Sequence, residues 1–116
     1  MKGIESDWKG RIRIYAYDVK GDLTFGYRDK ESFPLCSSFK AFLAAAIIAK
    51  SQEKLLHLYT LINFIDRKLE PWSPITTEYQ KNGMTICKLV QASFQYSDNA
   101  AANILLENYK NFSVHI

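Results

Sequence analysis

The chain has 116 residues, enough for one small domain, and 47% of them are hydrophobic, which excludes global disorder. Its net charge of +3, from 15 basic and 12 acidic residues, is slight and scattered along the chain, so nucleic acid is not an expected partner. The longest apolar run, Ala41 to Ala49, is too short to span a bilayer, and the opening MKGIESDWKG has no apolar core of a secretory signal.

In chain order, RIRIYAYD alternates. Ile12, Ile14 and Ala16 point one way; Arg11, Arg13, Tyr15 and Tyr17 point the other. After a turn at DVKGD, with Gly21, LTFGYR (Leu23 to Arg28) reads as a second strand, so residues 11–28 form an antiparallel hairpin. Pro34 then disfavours helix before it. From Ser37 the run through Phe39, Phe42, Leu43, Ala46 and Ile47 leaves little polar face before Lys50, which predicts a helix central to a core.

Leu55 to Leu69 reads as short helical or loop pieces. In EPWSPIT, Ser73 is placed to cap a short helix with Pro74 in its first turn. Thr85 is an N-cap for ICKLVQASFQ, whose Ile86, Leu89, Val90 and Phe94 share a face. After a break at Ser97, Asp98 and Asn99, AAANILLENY forms a further helix with Ala101, Ile104, Leu105 and Tyr109 as its stripe. Residues 37–109 are thus mainly helical, and the class is α/β (α+β).

Cys36 and Cys87 form neither a CxxC pair nor a disulfide scaffold, and Cys87 is expected to be a buried thiol. His57, read as a surface helix residue, and His115 have no partners at ligand spacing, so no metal site is visible.

Ser-x-x-Lys occurs three times, at Ser6–Lys9, Ser37–Lys40 and Ser51–Lys54, so its spacing alone says little. Ser37 differs because it stands where the apolar helix begins, amid free backbone N–H groups. Three residues apart, Ser37 and Lys40 share one helical face. A buried lysine with a lowered pKa can take the serine's proton, and the serine's own N–H can help to form an oxyanion hole. By itself the pattern equally fits a polar helix start. Ser97-Asp98-Asn99, by itself, equally fits a cluster of capping residues.

Together, Ser37-Ser38-Phe39-Lys40 and, 60 residues later, Ser97-Asp98-Asn99 follow the motif order of serine β-lactamases and penicillin-binding proteins. With GRIRIYAYD, FGYR, FPLCSSFKAFLAAA, PWSPIT, GMT and QYSDNAAANILL in order, the chain resembles a class A β-lactamase from about Gly10 to Leu106. PLCSSFK and PWSPIT look most like its carbapenem-hydrolysing branch.

The resemblance implies hydrolysis of β-lactam antibiotics through a serine acyl-enzyme, with no cofactor or metal. Ser37 matches the nucleophile, Lys40 the lysine that helps to deprotonate it, and Ser97 the serine that passes a proton to the leaving nitrogen. Asn99 matches the residue that binds the substrate's acylamide side chain, and Trp72 an aromatic on the cleft rim. Asp98 matches a residue that braces its loop by local hydrogen bonds. Asn103 matches an amide that supports the loop carrying the deacylating glutamate. Cys36 matches a cysteine bridged, in the carbapenem-hydrolysing branch, to one on a late strand; without that partner here it is expected to be reduced.

The family also uses E-x-x-x-N on an Ω-shaped loop, for deacylation, and K-[ST]-G on a late strand, for the substrate carboxylate. The pairs Glu78–Asn82 and Glu107–Asn111 have the first spacing but the wrong place, and K-[ST]-G does not occur in these 116 residues. The chain therefore reads as residues 1–116 of an incomplete catalytic domain: the N-terminal hairpin and helical lobe of the serine β-lactamase and D-Ala-D-Ala peptidase fold. A truncated or frame-shifted product, or a partial sequence, fits that reading, and little activity is expected from it alone. The resemblance implies a monomer whose partner is a small β-lactam, with no membrane partner. The family is periplasmic or secreted; as written, without a signal peptide, the chain is expected to stay where it is made. The rivals are a penicillin-binding or D-Ala-D-Ala peptidase relative, and a pseudogene fragment with no enzymatic role.

Overall fold

The computed structural model describes residues 1–111, so His115 lies outside the described residues. The chain divides into two compact units, Met1–Leu35 and Cys36–Ile116.

The first unit holds a seven-residue helix α1 (Lys2–Trp8), which no periodic pattern marks, and the hairpin β1 (Ile14–Tyr17) and β2 (Thr24–Tyr27). The strands pair antiparallel, Tyr15 opposite Gly26 and Tyr17 opposite Thr24, and are shorter than the 11–28 span expected. A two-stranded ribbon is marginal on its own, and α1 buries no residue. A polar clamp joins them. Glu5 Oε1 accepts from the Ile12 N–H at 2.8 Å and Arg28 Nε at 2.9 Å, while Oε2 accepts from the Tyr27 hydroxyl at 2.8 Å. The bond from the Ile12 N–H, reinforced by Arg28, holds the Glu5 carboxyl down at about 2.

The second unit carries the core. A 3₁₀ turn (Cys36–Ser38) leads into α2 (Phe39–Gln52); then come β3 (Leu61–Ile62), α3 (Pro74–Tyr79), β4 (Met84–Thr85), α4 (Ile86–Tyr96) and α5 (Asn99–Asn111). Ile47 of α2, Ile86 and Leu89 of α4, and Ile104 and Leu105 of α5 interlock with Met84 and Phe64. Each such side chain removed from water contributes about 1.5–3 kcal/mol. β3 and β4, too short to be visible as alternation, pair antiparallel. Gly83 enters β4 at φ 72°, where a Cβ would lie 2.6 Å from the Ile62 carbonyl oxygen, so only glycine fits.

The helix starts explain much of the local order. At α4 the Ile86 and Cys87 N–H groups donate to the Thr60 and Leu58 carbonyls, and Lys88 N–H donates to Thr85 Oγ1, as expected for an N-cap. At α3, Ser73 is the N-cap by position only. Its hydroxyl donates to the Glu70 carbonyl and accepts from Ala100 N–H of α5. The oxygen that caps α3 is Asp98 Oδ2, 23 and 22 residues beyond the Ile75 and Thr76 N–H groups it accepts from, a partner no local pattern reveals.

Four expectations are corrected. α2 is not enclosed: Lys40, Leu43, Ala44 and Ile47 are buried, but Phe42 and Ile48 are exposed. Its apolar run exceeds what the neighbouring helices cover. Phe94 is also exposed, and Ala92 and Ser93 take the buried places on α4 beside Ile86 and Leu89. Cys87 is exposed rather than buried, and His57 is exposed in a turn rather than on a helix. Among the described residues no helix is long and apolar enough to cross a membrane.

Candidate active site

Lys40 projects from the first turn of α2 and is only 4% exposed. Its Nζ lies 2.7 Å from the Ser97 carbonyl oxygen, 3.0 Å from Ser97 Oγ and 2.7 Å from Asn99 Oδ1. Ser37 Oγ, on the exposed 3₁₀ turn one helical turn earlier, is 3.5 Å away. The fold thus gathers Ser37, Lys40, Ser97 and Asn99, nearly 60 residues apart in sequence, around one nitrogen. Burial pushes the Lys40 pKa down, opposed by the Asp98 charge. The Ser97 carbonyl and Asn99 Oδ1 can only accept. A neutral amine satisfies both with its two N–H bonds and leaves its lone pair for a hydroxyl proton from Ser97 or Ser37.

The backbone that presents these groups is unusual. Cys36, Trp72 and Ser97 have φ of 46°, 57° and 54°, the left-handed region that non-glycine residues seldom adopt. Each costs about 1–3 kcal/mol, and such residues gather at functional sites. Cys36 is an exposed free thiol directly before Ser37. Trp72 is 70% exposed, with its indole N–H donating to the Tyr96 carbonyl at 3.2 Å.

Asp98, fully buried, braces two helices rather than its own loop alone. Oδ2 accepts from the Ile75 and Thr76 N–H groups of α3, Oδ1 accepts from Ala101 N–H of α5, and the Thr76 hydroxyl reaches both oxygens. The Asn99 N–H donates to the Trp72 carbonyl and Asn99 Nδ2 to the Pro71 carbonyl at 2.8 Å, which turns its Oδ1 toward Lys40. Asn103 Nδ2 donates to Glu70 Oε1 at 2.9 Å. Phe39, Lys40, Glu70, Pro71, Asn99 and Asn103 wall a cavity of about 350 Å³ beside the ammonium.

Every candidate residue except Cys36 therefore hydrogen-bonds another candidate or the segment 70–76. Thr76, Ser73 and Glu70 were missed, and no spacing rule reveals them, because their partners lie on distant segments. Glu107, whose E-x-x-x-N spacing with Asn111 is a coincidence, is held by Arg67 at 2.6 and 2.9 Å. Among the described residues no cluster of His, Cys, Asp and Glu is arranged to hold a metal.

The sequence profile of the β-lactamase enzyme family matches residues 1–113. The chain is 50% identical over 109 residues to the imipenem-hydrolysing β-lactamase of Enterobacter cloacae, covering 94% of this chain and 37% of that protein. It is 51% identical over 104 residues to the carbapenem-hydrolysing β-lactamase KPC of Klebsiella oxytoca, covering 90% and 36%. Among solved structures, carbapenemase VCC-1 of Vibrio cholerae superposes with a TM-score of 0.85 at 42% identity, over 97% of this chain and 44% of that one. A reconstructed ancestral class A β-lactamase of Gram-negative bacteria superposes with a TM-score of 0.83 at 40% identity, over 91% and 40%. The chain thus spans about 37% of the length of the first of these curated relatives.

Proposed function

The chain belongs to the β-lactamase enzyme family, on its class A side, and from that membership we propose that its helical unit supplies the nucleophile of a site that opens β-lactam rings through a serine acyl-enzyme. The observation that carries the reading is the convergence of Ser37, Ser97 and Asn99 on the buried Lys40 nitrogen. A scaffold serving stability alone has little reason to bury an amine beside an exposed hydroxyl and against Ser97, a residue held in the left-handed region.

In this reading Ser37 Oγ bonds to the lactam carbonyl carbon and its proton passes to neutral Lys40. The ring C–N bond breaks, and the leaving nitrogen takes the Ser97 hydroxyl proton, which Lys40 replaces across 3.0 Å. The Ser37 N–H, on the 3₁₀ turn that leads into α2, is this chain's donor for the developing oxyanion. Asn99 meets the substrate's acylamide group and Trp72 offers a flat apolar rim. Carbapenems are the substrate class favoured by the similarity to carbapenem-hydrolysing relatives, and a site outside the cytoplasm is favoured by the secreted character of the family.

The 116 residues expressed alone carry neither K-[ST]-G nor an E-x-x-x-N at the family's place. Loss of one oxyanion donor typically lowers the rate by about 10²–10³, and without the deacylating glutamate the acyl group leaves slowly. A chromogenic cephalosporin should give a slow burst of about one ring opening per chain and then stop, with the burst rate rising with pH as Lys40 loses its proton. Fast, sustained hydrolysis by the purified chain would refute this account of the isolated piece.

A further inference from the structure

Asn99 reaches Lys40 with the correct atom only because its other amide atom is tied elsewhere. Nδ2 donates to the Pro71 carbonyl at 2.8 Å, and Oδ1 is then the atom 2.7 Å from Lys40 Nζ. The segment that supplies the Pro71 and Trp72 carbonyls begins at Glu70, which is pinned from three sides. Arg67 Nη2 donates to Glu70 Oε1 at 2.7 Å, Asn103 Nδ2 to the same oxygen at 2.9 Å, and the Ser73 hydroxyl to the Glu70 carbonyl at 2.7 Å. Arg67 is itself held by Glu107 of α5, so the clamp is anchored on the helix that carries Asn99 and Asn103.

Glu70 Oε2 is buried without a hydrogen-bond partner among the described residues. A carboxylate kept at that cost is not explained by ion pairing for stability alone. Its side chain also walls the cavity that contains Lys40 and Asn99. Burial raises the Glu70 carboxyl, but the bonds from Arg67 and Asn103 outweigh it and leave it lowered, so the clamp is charged at neutral pH.

We infer that Glu70 is a positioning residue of the active site: clamped by Arg67 and Asn103, it fixes the Pro71 carbonyl, which orients the Asn99 amide and thereby sets the protonation of Lys40. This rests on the reading of Lys40 as the proton acceptor from Ser37. If the Pro71 carbonyl moves away, the Asn99 amide is free to turn its NH₂ toward Lys40. The ammonium then loses an acceptor, and its deprotonated form is favoured. The charged groups facing Lys40 are Asp98, from the turn before α5, and Glu70, across the cavity; the Ser37, Ser97 and Asn99 side chains that touch it are neutral.

The test is an NMR titration of ¹³Cε-labelled lysine in the full 116-residue chain, with the Lys40 signal identified by its loss in Lys40→Arg. Glu70→Ala should lower the Lys40 midpoint by about one pH unit. Glu70→Gln keeps an acceptor for Arg67 and Asn103 and should stay within about half a unit of the original. An unshifted midpoint in Glu70→Ala overturns the proposal, as does an equal shift in both variants, which marks a charge effect without positioning. Where Glu70→Ala does not fold, Asn103→Ala removes one of the two clamps: a lowered midpoint supports the proposal and an unchanged one overturns it. The titration needs no β-lactam, so a chain that is never acylated sinks the functional reading separately.

Discussion

Replacing Asp98 by alanine removes the carboxylate that accepts from three backbone N–H groups and the Thr76 hydroxyl in a fully buried place. Those donors belong to the first turns of α3 and α5 and would have no water to turn to. The expected cost is about 2–4 kcal/mol of unfolding free energy, read by urea denaturation. An Asp98→Ala chain with unchanged stability would show that the donors find other partners. At this scale the sequence was most legible where chemistry repeats in a known order. Ser37, Lys40, Ser97 and Asn99 were identified by motif and do meet. Thr76 and Glu70 were not, because their importance comes from atoms that only the folded chain brings near.

Among elements, the hairpin rests on Glu5 more than on burial, since Tyr15, Tyr17 and Phe25 are all exposed. The Glu5 carboxyl is lowered from 4.5 to about 2, held first by the Ile12 N–H and then by Arg28. A group depressed on folding contributes stability above its unfolded value and loses it as pH falls through the folded one. The first unit should therefore loosen as pH drops from about 4.5 toward 2. Cross-strand NMR contacts between Tyr15 and Gly26 should fade together with Glu5 protonation. In Glu5→Gln those contacts should be weak at every pH, and full-strength contacts in that variant would discard the clamp. Periodicity located the hairpin, α2, α4 and α5, because each carries a long pattern. It missed α1, β3 and β4, which are too short to show one and are held by tertiary hydrogen bonds. It also overstated the burial of α2 and of Phe94, since an apolar run shows the capacity to be covered and not the presence of a cover.

For the whole molecule, the consequence is an open apolar groove of about 450 Å³ between α2 and α4, lined by Ala41, Ala45, Ile48, Val90 and Phe94. Relatives of roughly 2.5 times this length share the matched region, so the groove lies in a fold that is larger elsewhere. Sequence carried the family because its motifs are dispersed over most of the chain, from the hairpin to α5. What sequence could not supply was whether the Ser37 and Lys40 side chains are poised together in these residues. Intact-mass spectrometry of the purified 116-residue chain after incubation with benzylpenicillin tests that most directly. The account predicts a single adduct of one intact penicillin mass, mapped to Ser37, slow to disappear, and absent in both Ser37→Ala and Lys40→Met. No adduct on a chain shown to be folded, or an adduct that survives Ser37→Ala, would contradict it.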